Sequence, residues 1–92
     1  MDISWSPHAM RELKQIYEYY KTSQSLKFAQ KFRKKVYKRV APLKSFPHLG
    51  KKLKSPKGKH FRFLIEGHYK IVYSIRDDEI LIEMIIDSRR GG

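Results

Sequence analysis

The chain has 92 residues, no cysteine, and 21 Lys and Arg against 9 Asp and Glu, a formal net charge of +12. That length supports one domain (1–92) with a layer of helix on one sheet, and the missing thiols exclude disulfides and thiolate metal sites. No apolar run nears the roughly 18 residues of a membrane span, and MDISWSPHAM lacks the basic and apolar regions of a secretory signal, so a cytoplasmic protein with no membrane partner is expected.

Asp2 to Trp5 alternates and is short enough for an edge strand. Ser6-Pro7 reads as a helix start, because Ser6 can cap and Pro7 sits where a missing N–H costs nothing. The first helix is predicted from Pro7 to about Lys21, with Ala9, Leu13, Ile16 and Tyr20 on one stripe and Met10 and Tyr17 widening it. Thr22 to Ser25 is a turn with capping residues. A second helix is predicted from about Ser25 to Lys44, with Ala29, Phe32, Val36, Val40 and Leu43 as its apolar stripe. Pro42 marks a kink or an end near its last turn. A short link makes the two helices an antiparallel hairpin.

Charge is concentrated here. Between Glu18 and Glu66 there is no acidic residue, yet that window holds fifteen of the twenty-one Lys and Arg. So one-sided a balance suits a polyanion or an acidic protein partner. The lysines between Lys31 and Lys59 suit phosphate contacts, which position a strand without reading its sequence.

His48 to Gly58 reads as a loop, too irregular for a strand and too broken for a helix. Three strands follow: Lys59 to Ile65, Tyr69 to Arg76 and Glu79 to Ile86. Glu66-Gly67 and Asp77-Asp78 are the turns, and the last strand is nearly all apolar, as expected of a central one. The order β-α-α-β-β-β predicts an α+β fold, an antiparallel sheet with the helix hairpin packed on one face.

Catalytic spacings are missing. His8, His48, His60 and His68 are scattered, and no Gly-rich phosphate loop or nucleophile elbow occurs, so neither a metal nor another cofactor is expected. What remains is a set of cations. Arg62 and Lys70, on neighbouring strands, are expected to share a face, and Arg89 and Arg90 leave the end of the last strand. Such a cleft can hold a phosphodiester, with His60 and Tyr69 as weak acid–base candidates. The competing reading has Arg62 paired with Glu83 or Glu66, only ordering the sheet, and Tyr69 and Tyr73 filling the core.

Four segments in this order, SWSPHAMRELKQIYEYY, LKSFPHLGK, FRFLIEGHYKIVYSI and IIDSRR, resemble the RelE/ParE superfamily of bacterial type II toxins over nearly the whole chain. The resemblance implies a growth-inhibiting toxin neutralised by a cognate antitoxin that wraps over it. The +12 charge fits an acidic, partly disordered partner of that kind. It also implies one of two targets: DNA gyrase for ParE-like members, or messenger RNA cut on the ribosome for RelE-like ones. Whether the chain is an enzyme turns on that choice. Lys70 matches the basic residue of the family's Gly-Tyr-Arg-type strand, and Arg89 or Arg90 its C-terminal arginine. Arg62 lies on the strand that carries the cleaving members' lysines, without a one-for-one match. After Arg90 only Gly91 and Gly92 remain, where cleaving relatives continue into a short helix with a terminal Tyr or His. That ending favours the ParE-like reading, with the RelE-like endoribonuclease as the alternative.

Overall fold

The computed structural model describes residues 1–54 and 60–89. Its elements run β1 (Asp2–Trp5), α1 (Pro7–Ser23), α2 (Leu26–Val40), a 3-10 turn (Ala41–Lys44), β2 (Lys51–Leu53), β3 (Phe61–Glu66), β4 (Tyr69–Arg76) and β5 (Glu79–Asp87). The five strands form one sheet in the order β1-β5-β4-β3-β2. β1 runs parallel to β5 and every other pairing is antiparallel. The α+β class and the helix hairpin on one face are as expected. The sheet, however, is mixed, and it has one strand more.

The extra strand lies in the segment read as a loop. Lys51 and Leu53 stand opposite Phe63 and Phe61. Three residues are too few for an alternation pattern to register, and the pairing is supplied by β3. The second helix also ends earlier than expected. Pro42 cannot donate an intrahelical bond, so the α-helix stops at Val40 and a 3-10 turn carries the chain to Lys44.

Both helices start at serine caps. Ser6 Oγ accepts from Ala9 N–H at 3.0 Å, and Ser25 Oγ accepts from Phe28 N–H at 3.0 Å. The apolar stripes meet the sheet as their spacing requires: Ala9, Leu13, Phe32, Val36, Val40 and Leu43 form one buried cluster with Leu64, Ile71, Tyr73, Ile80, Ile82 and Ile85, and Ala29 is buried as well. Met10 does not join them and is 44% exposed. Tyr17 instead lies under the Arg33 guanidinium, 4.7 Å from its ring centre.

A bulge in β5 keeps three isoleucines on the core face. The register steps from Val72↔Met84 to Tyr73↔Ile82, leaving Glu83 as the extra residue. Ile80 and Ile82 face the helices before it and Ile85 after it, which a strict alternation would not allow. The bulged carbonyl is not wasted: Ser6 Oγ donates to Glu83 O at 2.9 Å, and Ser6 N–H to Ile82 O at 2.9 Å. One serine thus caps α1 and anchors it to the middle of β5. Among the described residues, no helix is long and apolar enough to cross a membrane.

Candidate functional site

Register decides which cations can act together. Arg62 stands opposite Tyr73, on the face that the helices cover, and Lys70 stands opposite Ile65, on the other face. The expected shared face is therefore not formed. Side chains alternate along a strand, and the turn at Gly67-His68 sets the pairing so that positions 62 and 70 differ in phase.

Arg62 is held by the chain that precedes β2. Its Nη1 donates to Gly50 O at 2.8 Å and to His48 O at 3.2 Å. Neither Glu83 nor Glu66 is its partner: Glu83 accepts from Ser74 Oγ at 2.6 Å, and Glu66 faces Arg39 at 3.5 Å. Beside Arg62, the fully buried Tyr73 accepts from Gly50 N–H at 2.8 Å and donates to Pro47 O at 2.8 Å. Gly50 is required here, since a Cβ would sit 2.7 Å from the Tyr73 hydroxyl and 2.8 Å from Phe63 O. Burial raises the Tyr73 hydroxyl above its ordinary pKa. Arg62 and Tyr73 together pin residues 47–50 to the sheet.

Lys70 lies over the Phe63 ring, its Nζ 4.9 Å from the ring centre. It stands on the sheet face turned away from the helices, with Phe61, Phe63, Ile65, Leu81, Met84 and Ile86, of which Ile65 and Ile86 are exposed. His60 is exposed and precedes β3. Arg90 lies outside the described residues.

Tyr69 and Arg89 do come together. They line one cleft of about 730 Å³ between α1 and the end of β5, with Glu12, Gln15, Ile16, Tyr19, Ile85, Ile86 and Asp87. Arg89 clasps Asp87: its Nε reaches Oδ1 and its Nη2 reaches Oδ2, each at 3.3 Å, and its backbone N–H donates to Oδ1 at 2.9 Å. The guanidinium hydrogen bond holds the Asp87 carboxyl below its ordinary pKa and raises that of Arg89. Tyr69 is buried, its hydroxyl 3.0 Å from that of Tyr20. Burial, then the Tyr20 hydroxyl, push its pKa well above the ordinary tyrosine value.

The cleft runs along the edge of β5. β1 covers β5 only from Glu79 to Ile82. Beyond that, the Ile85 N–H is taken by Glu12 Oε1 of α1 at 2.8 Å. Glu12 was not singled out from the sequence, because its role depends on α1 crossing the edge of β5. Among the described residues no cluster of His, Asp and Glu could hold a metal ion.

Two helices on a five-stranded mixed sheet, with a one-sided positive charge, define a small basic protein of the α+β class. A family model described as the ParE toxin of the type II toxin–antitoxin system, parDE, matches residues 3–91, and the chain belongs to that family. Among solved structures it is similar to the chromosomal ParDE toxin–antitoxin system from P. aeruginosa, at 24% identity and a TM-score of 0.79, covering 92% of each chain. It is also similar to the YoeB dimer from Staphylococcus aureus, at 24% identity and a TM-score of 0.59, covering 91% of this chain and 92% of that one. A heterotetrameric YoeB-YefM toxin-antitoxin complex from the same organism gives 24% identity and a TM-score of 0.57, with the same coverage. At these identities the structural likenesses bear on the fold. No match was found among curated proteins.

Proposed function

We propose that this ParE-family toxin arrests growth by binding DNA gyrase, with no bond-breaking step of its own, and that a cognate antitoxin neutralises it. The observation that carries the proposal is the dispersal of the candidate cations among the described residues. Arg62 is spent on backbone carbonyls on the helix side. Lys70 stands on the opposite face. Arg89 is clasped by Asp87. Cleavage of a phosphodiester needs charge stabilisation, a proton acceptor and a proton donor converging within hydrogen-bond reach of one phosphate. A binding surface has no such requirement.

An antitoxin is supported by charge and by shape. A +12 chain attracts an acidic segment over long range. The α1–β5 cleft can accept the side chains of such a segment.

Expression of the chain alone, and together with the adjoining open reading frame, tests both parts. The expected result is growth arrest alone and growth restored by the neighbour. During arrest, plasmid supercoiling should relax and a DNA-damage response should appear, while messenger RNA on ribosomes stays uncut. Ribosome-phased messenger RNA ends with normal supercoiling would replace gyrase by the RelE-like endoribonuclease reading.

A further inference from the structure

We propose that the groove between α2 and the β3–β4 turn binds a short stretch of single-stranded nucleic acid, its phosphates on Lys31, Lys35 and Lys38 and one base against Phe28. The groove is continuous. An aromatic pocket of about 180 Å³ is lined by Tyr20, Phe28, Phe32 and Tyr69 together with Lys31 and Lys35. A second depression, lined by Lys35, Lys38 and Arg39, shares Lys35 and Glu66 with the first.

The three lysines stand at i, i+4 and i+7, so they line one side of the helix, with Lys31 and Lys38 roughly 10 Å apart along its axis. All three are exposed, and no ion pair holds them among the described residues. The acidic group in the groove, Glu66, is already faced by Arg39 at 3.5 Å. α2 contains no acidic residue at all, and lysines one turn apart repel. A helix that only needed solubility would intersperse acids and avoid that cost.

The aromatic end favours a single strand over a duplex. Phe28 is 46% exposed, edge-on to Tyr20 at 5.0 Å, and Tyr20 and Tyr69 both pack on Phe32. An unstacked base can lie against such a surface beside lysine-held phosphates, whereas the bases of a duplex are stacked inside it. The groove is separate from the α1–β5 cleft apart from Tyr69, which lines both. The proposal does not depend on gyrase, since its test uses the chain and a bare oligonucleotide.

The experiment is fluorescence anisotropy of a short labelled oligothymidylate over a range of salt. Two triple variants remove equal charge: Lys31→Gln with Lys35→Gln and Lys38→Gln in the groove, and Lys51→Gln with Lys52→Gln and Lys54→Gln outside it. The groove variant should flatten the slope of log affinity against log salt by about 2, from about 0.7 per phosphate on a single strand. The outside variant should change it little. Phe28→Ala should weaken binding about tenfold. With the unaltered chain, an abasic strand should bind correspondingly less well than oligothymidylate, which keeps the base contact testable without any substitution. Equal losses from the two triples would reduce the effect to net charge and overturn the proposal. Equal affinity for the abasic strand would also overturn it. Displacement by polyglutamate as effective as by oligothymidylate would assign the groove to an acidic polypeptide instead.

Discussion

Arg62 shows how one residue type can serve two readings. In the sequence it is an arginine on a strand among apolar neighbours, as suited to a phosphate as to a structural bond. The structure gives its guanidinium to Gly50 O and His48 O, next to Tyr73, which holds Pro47 O and Gly50 N–H. Arg62→Ala and Tyr73→Phe should each lower stability by about 1–3 kcal/mol, because each leaves buried or half-buried polar groups without partners. Both residues hold the same short segment, so the double variant should cost less than the sum of the two, as urea titrations of the four proteins would reveal.

Asp87 and Arg89 make a pH-dependent prediction at the same scale. The folded-state pKa of Asp87 is depressed, so its contribution is present above the unfolded carboxylate value of 3.8 and is lost as pH falls through the folded value. Asp87→Asn should therefore flatten the acid limb of a stability–pH profile below about pH 4 and leave the neutral region nearly parallel to that of the unaltered chain. A profile displaced equally at all pH values would mean that the carboxylate charge is not what Arg89 recognises.

At the scale of elements, the two serine caps look alike in sequence and differ in the fold. Ser25 caps α2 and is exposed. Ser6 caps α1 and also binds the bulged Glu83 carbonyl at the middle of the sheet. Ser25→Ala should cost about 1 kcal/mol, the usual worth of a cap. Ser6→Ala should cost that plus about 1–3 kcal/mol for the carbonyl it strands, and thermal melts of the two variants would separate them. The helices and hairpins themselves were legible because their signals are local: caps, 3.6-residue stripes, and Gly67 and Asp77, which take positive φ at 61° and 53° in the two turns. The features that escaped are non-local. β2 exists because β3 lends it a partner, and the bulge at Glu83 is visible only as a change of register between two strands.

At the scale of the whole molecule, the order of segments pointed to the family, while the site depended on phase. Arg62 and Lys70 are near in sequence and on neighbouring strands, yet the turn between them sends them to opposite faces. Sequence spacing across a turn does not fix that phase until the pairing is known. The same register leaves Tyr69 and Arg89 in one cleft, beside Asp87, which holds the Arg89 guanidinium.

The most direct measurement adds the purified chain to two reconstituted reactions, gyrase supercoiling of relaxed plasmid and a ribosome carrying messenger RNA in its decoding site. Binding without catalysis predicts inhibited supercoiling, inhibition that tracks the ratio of chain to gyrase, and intact messenger RNA. Cut messenger RNA at substoichiometric chain, with supercoiling unimpaired, would contradict it.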